Sequence, residues 1–207
     1  MQSEDRRAHW ESVYSKKREN EVSWFEENPV LSLELFAQVG ATAASPIIDI
    51  GGGASRLVDN LLQRGFEDIT VLDLSETALE SAKARLGRNA GRVRWIVADV
   101  TTWQPLQTYG IWHDRAAFHF LTNEDDRAAY VARLRQALRI GGYAIISTFA
   151  LDGPERCSGL QVTRYDPESL GRTLGREFEF VDSRQHIHAT PWGAEQSFQC
   201  SVFRHCP

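Results

Sequence analysis

A glycine-rich turn follows the first apolar run of the chain. The run Ile47-Ile-Asp-Ile50 passes directly into Gly51-Gly52-Gly53, and a helical pattern begins a few residues later. Glycines at such a turn let the backbone approach a ligand, and the first N–H groups of the next helix face it. The NAD fingerprint needs another glycine where this chain has Arg56, so the sequence disfavours a nicotinamide cofactor.

Three acids stand at the ends of successive apolar runs. Asp49 lies beside the glycines, Asp73 ends the second run and Asp99 follows the third. The carboxyl ends of parallel strands form the edge where open α/β sheets bind ligands, and a carboxylate after the second strand can accept hydrogen bonds from both ribose hydroxyls. Because like charges repel, this edge predicts a ligand with a nucleoside and a cationic end rather than a pyrophosphate.

Apolar runs that alternate with helical patterns predict the elements that position these residues, a parallel sheet with helices on both faces. Strands are predicted at 46–50, 69–73, 93–97, 110–114 and 143–149, and helices at 55–65, 75–86 and 124–138. Gly141-Gly142 is expected to stop the third helix. A loop of some fifteen residues and a helix capped by Asp166 then precede a predicted hairpin of residues 178–188 and 196–204.

The ordered motifs resemble the class I S-adenosylmethionine-dependent methyltransferases over residues 46–150. Ile47–Gly53 is similar to motif I of that family, Val71–Ser75 to its ribose motif and Ala98–Val100 to its adenine-contacting turn. The resemblance implies an α/β fold with a Rossmann-like, doubly wound, seven-stranded sheet, mostly parallel with a C-terminal antiparallel hairpin. It also implies S-adenosyl-L-methionine as cofactor.

The resemblance assigns expected roles on the donor side. It implies that the backbone at Gly51 and Gly53 approaches the amino acid part of the donor, that Asp73 binds ribose and that Asp99 contacts the adenine amine. Asp49 either contacts the donor or holds neighbouring backbone N–H groups. The expected cofactor-binding residues are Trp10, Tyr14, Trp24, Asp49, Gly51, Gly53, Asp73, Leu74, Asp99, Val100 and Asp114.

The acceptor side is predicted from Asp114-Arg-Ala-Ala117, at the end of the fourth strand. This segment resembles the Asp-Arg-Gly-Ala of thiopurine methyltransferases and the Asp-Lys-Gly-Thr of some protein-lysine methyltransferases, although Ala116 replaces the glycine. Asp114 and His119 are the candidate catalytic residues, His119 because its reference pKa of about 6.5 suits a general base; a packed histidine is the alternative. The expected substrate-binding residues are Trp24, Arg115, Phe118, His119, Cys157 and Tyr165.

Two further patterns leave alternatives open. The aromatic residues Trp10, Tyr14 and Trp24 either accommodate a sulfonium or cationic acceptor by cation–π attraction, as part of a cover over the sheet edge, or belong to the core. His186 and His188 share one face of a predicted strand, but no third ligand is evident, so no metal site is predicted.

Composition narrows the classes of partner. The 207 residues include 23 Lys and Arg against 28 Asp and Glu, a net charge of -5 without a basic footprint for nucleic acid. The sequence has no run of eighteen apolar residues, no signal-type apolar core and only three cysteines, which predicts a cytoplasmic protein with no membrane segment. We expect one domain, with a cover at 1–45, a donor-binding core at 46–150 and an acceptor-side loop and hairpin at 151–207.

The predicted function is methyl transfer by in-line displacement to a small thiol-type nucleophile. A protein-lysine N-methyltransferase acting on a partner protein is the first alternative. A non-catalytic nucleoside-binding or interaction module of the same fold is the second, because fold alone does not imply function.

Overall fold

The computed structural model describes residues 3–207, in which seven strands form one sheet and two short strands form a separate pair. The strands are β1 (Ile47–Ile50), β2 (Ile69–Asp73), β3 (Val93–Val97), β4 (Tyr109–Arg115), β5 (Leu138–Phe149), β6 (Arg156–Cys157), β7 (Leu160–Gln161), β8 (Phe178–Ala189) and β9 (Glu195–His205). The helices are α1 (Ser3–Lys16), α2 (Val30–Gln38), α3 (Leu57–Gln63), α4 (Glu76–Leu86), α5 (Glu124–Ala137) and α6 (Pro167–Leu174).

The main sheet has the order β3-β2-β1-β4-β5-β9-β8. Strands β1 to β5 are mutually parallel, whereas β9 runs antiparallel to both β5 and β8. The predicted Rossmann-like sheet with a C-terminal hairpin is therefore confirmed. The order reverses direction at β1, so β1 and β4 flank the point where open sheets of this type bind ligands.

Helices cover both faces of the main sheet and bury its central strands. Every residue of β1 and β2 is buried, as expected for strands of a parallel sheet. One core joins one face of the sheet to α5 and α6, through Ile48, Ile50, Trp112, Ile146, Tyr130, Leu134, Leu170 and Leu174. The other core joins the opposite face to α2, α3 and α4, through Ile47, Val71, Ile111, Ile145, Phe36, Leu57, Leu61 and Leu79.

Three helices begin at residues that cap them. Ser75 caps α4 by accepting a hydrogen bond from the N–H of Ala78 at 3.1 Å, and Gly87 follows the last helical residue. Asn123 caps α5, and Asp166 caps α6, whose first residue is Pro167. These short-range signals fix where the chain enters α4, α5 and α6.

Two expectations about the second half of the chain were wrong in detail. Gly141-Gly142 does not stop α5, which ends at Ala137, but lies inside β5. A Cβ atom at Gly142 would meet the carbonyl oxygen of Gly110 at 2.9 Å, so the glycine allows β5 to approach β4 closely where their register shifts. The long loop after β5 contains the short pair β6–β7.

None of the helices within residues 3–207 combines the length and the apolar character that crossing a membrane requires.

Candidate active site

A cavity opens at the carboxyl edge of β1, β2 and β4, with α1 on its outer side. Eleven of the residues predicted for the site line it: Trp10, Tyr14, Trp24, Asp49, Gly51, Asp73, Leu74, Asp99, Val100, Arg115 and Cys157. The cavity therefore lies at the edge where the sequence placed the donor, and residues from the N-terminal segment reach it.

The glycine turn after β1 has a backbone that only glycine adopts readily. Gly51 and Gly53 have φ angles of +65° and +43°. A Cβ atom at Gly53 would lie 2.9 Å from Oδ2 of Asp73 and 3.0 Å from the hydroxyl of Tyr14. Gly53 thus sits between these two side chains, although it does not line the cavity itself, and any larger residue would displace them.

Asp73 carries a buried carboxyl group beside this turn. Its Oδ1 accepts a hydrogen bond from the N–H of Ser75 at 2.8 Å, while its Oδ2 lies next to Gly53. Burial, together with the nearby charges of Asp49 and Glu11, raises the pKa of Asp73 to about 7. A buried carboxylate of this kind gains from hydroxyl groups that donate hydrogen bonds to it.

Asp49 is held by a histidine of the neighbouring strand. Its Oδ1 accepts a hydrogen bond from Nδ1 of His113 at 2.7 Å, and Nε2 of His113 lies 3.0 Å from the hydroxyl of Ser32. This chain of contacts runs from the cavity wall to α2. It orients the Asp49 carboxylate beneath the glycine turn, where a Cβ atom at Gly52 would meet Oδ2 at 2.6 Å.

Asp99 is fastened to the first helix. Its Oδ1 accepts hydrogen bonds from the backbone and hydroxyl of Thr101, at 2.9 and 2.7 Å. Its Oδ2 accepts one from Arg6 at 2.7 Å, and Arg6 also pairs with Asp126 in the first turn of α5. The acid expected at the adenine amine is therefore also the group that anchors α1.

Aromatic side chains form the cover of the cavity. The ring centroid of Trp10 lies 6.3 Å from that of Tyr14, 5.7 Å from that of Trp24 and 4.9 Å from that of Phe120. Burial and the charge of Asp73 raise the pKa of Tyr14, which keeps its hydroxyl protonated. α1 and the segment after it thus meet the turn that follows β4 through packed rings.

Asp114, expected among the catalytic and cofactor-binding residues, lies behind the cavity wall and does not line the cavity. It is fully buried; Oδ2 accepts a hydrogen bond from the hydroxyl of Tyr130 at 2.7 Å, and Oδ1 accepts from the N–H groups of Ala117 and Phe118 at 2.8 and 3.2 Å. Burial raises its pKa to about 6 despite these bonds. Both oxygens are engaged in fixing the turn after β4.

His119, Phe118 and Tyr165 also lie outside the cavity wall. Nδ1 of His119 accepts a hydrogen bond from the N–H of Phe149 at 3.3 Å, and burial lowers its pKa to about 3. Phe118 and Tyr165 pack in the core, with ring centroids 5.4 Å apart. Phe118 and His119 are buried because they belong to the 3₁₀ turn Phe118–Phe120, which directs Phe118 into the core and Phe120 into the cavity.

The alanine that replaces a glycine in the Asp-Arg-Gly-Ala pattern keeps the backbone of a glycine. Ala116 has a φ angle of +69°, in the left-handed region that side chains disfavour. The turn after β4 therefore has the same kind of conformation that the glycine would give it, and Ala116 lines the cavity.

Several lining residues were not predicted from the sequence. They are Arg6, His113, Phe120, Gln196 and Phe198, which come from α1, β4, the turn after β4 and β9. His113 occupies a strand position next to Asp114, and its pairing with Asp49 follows from the register of β1 and β4. Arg6 gives no local signal, because its partners lie 93 and 120 residues away.

Comparison with known proteins identifies the class to which this geometry belongs. Residues 47–142 match the family model described as a methyltransferase domain. With the fold, this match confirms the prediction of a methyltransferase domain over residues 47–142. The comparison with curated proteins found no match.

Several solved structures share the fold of this chain at low sequence identity. The chain is similar to the 1,6-didemethyltoxoflavin-N1-methyltransferase of Burkholderia thailandensis, bound to its substrate and S-adenosylhomocysteine, with 22% identity, a TM-score of 0.76 and coverage of 100% of this chain and 92% of that one. A structure described by the conversion of a disulfide bond into a thioacetal group during echinomycin biosynthesis is 16% identical, with a TM-score of 0.75 and coverage of 95% of this chain and 90% of that one. The N-methyltransferase NodS from Bradyrhizobium japonicum is 16% identical, with a TM-score of 0.68 and coverage of 88% of this chain and 100% of that one.

Proposed function

We propose that the chain methylates a small, soft nucleophile such as a thiol, which it encloses beneath the aromatic cover. The observation that carries this proposal is the character of the cavity near the turn after β4. The lining there includes Trp24, Ala116, Phe120, Cys157 and Phe198, while both predicted catalytic residues, Asp114 and His119, are fully buried outside it.

The donor half of the proposal assigns a role to each element of the carboxyl edge. The buried carboxylate of Asp73 accepts hydrogen bonds from the ribose hydroxyls, and the glycine turn lies along the amino acid part of the donor. Asp99 and Val100 flank the adenine. The residues fit such a ligand because Gly51 exposes its backbone to the cavity and because Asp73, held next to Gly53, is a desolvated acceptor in the cavity wall.

The chemistry needs little from the protein besides alignment. S-adenosylmethionine, when bound, supplies a methyl group on a sulfonium leaving group. The chain holds donor and acceptor in line and keeps water away from them, and preorganisation of this kind accounts for a large part of many rate enhancements. Trp10, Trp24 and Phe120 provide the apolar walls, with ring faces that attract a positive charge.

The acceptor must therefore reach its reactive form without help from Asp114 or His119. The histidine that does line the cavity, His113, is already paired with Asp49. A thiol has a reference pKa of about 8.5, so a useful fraction is thiolate near neutral pH, whereas a lysine ammonium at about 10.4 is almost wholly protonated. Arg115 lines the same region, but its guanidinium donates to the carbonyl oxygen of Trp24 at 2.9 Å and pairs with Glu26 at 3.5 Å. The difference in pKa therefore supports a thiol-type acceptor over the lysine of a partner protein.

The structural neighbours support a small acceptor as well. One acts on 1,6-didemethyltoxoflavin, and another concerns a disulfide converted into a thioacetal. The non-catalytic alternative is disfavoured by the match to a methyltransferase domain and by an intact glycine turn and Asp73. A lysine methyltransferase stays the second candidate, because the N-terminal segment that carries Trp24 also forms part of the surface.

The test is incubation of the protein with methyl-labelled S-adenosylmethionine and a cell extract, followed by separate counting of precipitated protein and small molecules. We expect label in the small-molecule fraction, and a panel of thiols to contain a substrate. Asp73→Asn should abolish the signal, whereas Asp68→Asn, an acid before β2 and outside the cavity, should not. Label confined to protein would overturn the small-acceptor proposal, and label in neither fraction with the donor bound would favour the non-catalytic module.

A further inference from the structure

Three side chains that can bind a metal ion converge beside the cover, on the outer side of the active site. Among residues 3–207, Glu26, His186 and His188 form the one group of three such side chains whose ligand atoms all lie within 4.8 Å of one another. His186 and His188 stand two apart on β8 and so share a face of the strand. Glu26 comes from the segment between α1 and α2, which supplies the third ligand that the sequence pattern lacked.

The distances are close to those of a first-row metal site. Oε1 of Glu26 lies 3.3 Å from Nδ1 of His188 and 3.7 Å from Nε2 of His186. Bonds of about 2.0–2.2 Å to a tetrahedral Zn²⁺ place neighbouring ligand atoms about 3.3–3.5 Å apart. The two distances from Glu26 thus lie at or within a few tenths of an ångström of that separation, and the half-exposed side chain of His186 has room to adjust.

A hydrogen bond to the backbone fixes the tautomer of His188 and leaves Nδ1 as its metal-binding nitrogen. Nε2 lies 2.7 Å from the carbonyl oxygen of Ser23, which can only accept, so Nε2 carries the proton. In the neutral ring Nδ1 then presents a lone pair to a carboxylate oxygen, and two acceptors facing each other need a cation or a second proton between them. A histidine held by a backbone carbonyl through its other nitrogen is the usual arrangement of metal ligands.

The surroundings leave the ligand atoms free for this role. Arg115 approaches the other carboxylate oxygen, Oε2, at 3.5 Å, and therefore orients Glu26 without covering Oε1. His188 is buried, and its ring meets that of Phe198, which lines the cavity, at a centroid distance of 6.1 Å. The cluster therefore connects the segment that carries Trp24 with the hairpin β8–β9.

We infer that Glu26, His186 and His188 form a binding site for a divalent transition-metal ion, with Zn²⁺ the best fit to one carboxylate and two imidazole ligands. The ion joins the segment after α1 to β8 and so fixes the cover against the hairpin at the mouth of the active site. Three protein ligands would leave one position of a four-coordinate ion for water. The inference does not depend on the identity of the acceptor.

The test uses full-length protein without a histidine tag, stripped with a chelator and titrated with ZnCl₂ by calorimetry at pH 7.5. We expect one Zn²⁺ per chain and, with CoCl₂, the visible absorption of a four-coordinate nitrogen and oxygen site. Loss of a partner outside the coordination shell commonly weakens metal binding by about 10–100-fold, so His186→Gln and Glu26→Gln should weaken it by at least about 10-fold. His9→Gln, a histidine change outside the cluster, should leave the affinity within about twofold.

A second measurement is independent of variant stability. Hydrogen exchange of residues 19–27 and 184–190 should slow when Zn²⁺ is added to the wild-type protein and should not change in His186→Gln, whose half-exposed side chain makes misfolding a minor concern. The inference is overturned if Zn²⁺ shows no saturable one-to-one binding, which leaves an imidazolium–carboxylate pair. It is also overturned if both variants bind as the wild type does, or if the Co²⁺ spectrum shows thiolate ligation by Cys206.

Discussion

Arg6 of α1 donates a hydrogen bond to the carboxylate of Asp99 at 2.7 Å, with both side chains almost fully buried. Arg6 also pairs with Asp126, so one guanidinium joins the first helix, the loop after β3 and the start of α5. The cover is therefore held at one end by a buried ionic network and at the other by packed aromatic rings.

Arg6→Gln should loosen α1 while the sheet stays folded. The change leaves two carboxylates without their cation, and separation of α1 from the sheet lets water reach them. We expect hydrogen exchange over residues 4–16 to become at least about 10-fold faster, with the exchange of β1 and β4 nearly unchanged. Arg7→Gln is the matched control, because Arg7 is exposed and its contact with Glu76 is 4.0 Å long. Equal protection of α1 in both variants would show that the network does not hold the cover.

Donor affinity should increase with pH through the ionisation of Asp73. Its pKa is raised to about 7, so below that pH the folded protein without donor carries a neutral carboxyl that accepts ribose hydroxyls poorly. If the ionised form binds, affinity at pH 6 falls about 10-fold below its value well above pH 7. Calorimetry with S-adenosylhomocysteine at pH 6 and 8 measures this difference.

Asp73→Asn supplies the control for that pH dependence. An asparagine has no proton to lose, so the variant should bind weakly and equally at pH 6 and 8. Asp68→Asn, just before β2, should keep the wild-type slope. A slope that persists in Asp73→Asn would show that the pH dependence of donor binding does not come from Asp73.

The fold could be predicted from short-range sequence patterns, above all the apolar runs that form the buried strands. Buried apolar runs give β1 and β2, and residues at the ends of parallel strands meet at one edge. The sequence alone could therefore place Asp73 and Asp99 together at that edge, where both line the cavity. Contacts over long separations gave no such signal. The partner of Arg6 is 93 residues away, and the carboxylate that faces His186 and His188 comes from the opposite end of the chain.

The acceptor side shows a different limit of sequence reasoning. Phe118 and Phe120 are two apart in a 3₁₀ turn, and one faces the core while the other lines the cavity. Nothing in the sequence chooses between them, because the choice depends on how Ala116 turns the chain. The same turn buries His119 and uses both oxygens of Asp114, so residue types that suit catalysis serve to hold the backbone.

Tyr130→Phe should destabilise the protein without weakening donor binding. The Tyr130 hydroxyl accepts from Nε1 of Trp112 at 2.7 Å and donates to Asp114 at 2.7 Å, and all three side chains are fully buried. Its removal leaves a donor and a carboxylate oxygen without partners, at a cost of about 2–4 kcal/mol in the free energy of unfolding. Urea denaturation measures the loss, and Tyr143→Phe, outside this chain of bonds, should cost less than about 1 kcal/mol. A large loss of donor affinity at unchanged stability would instead place Asp114 in contact with the ligand.

Glycine substitutions at two adjacent alanines should have opposite effects on stability. Ala116 has a φ of +69°, where a side chain costs about 1–2 kcal/mol, so Ala116→Gly removes strain that exceeds the added entropy of the unfolded chain, about 0.4–1 kcal/mol. We expect the free energy of unfolding to increase by about 0.5–1 kcal/mol. Ala117 has ordinary helical angles, so Ala117→Gly gains nothing in strain and should lower the free energy of unfolding by about 0.5–1 kcal/mol. Urea denaturation of both variants decides the matter, because a decrease in both would mean that Ala116 is not strained and that the turn after β4 owes its shape to the hydrogen bonds of Asp114 alone.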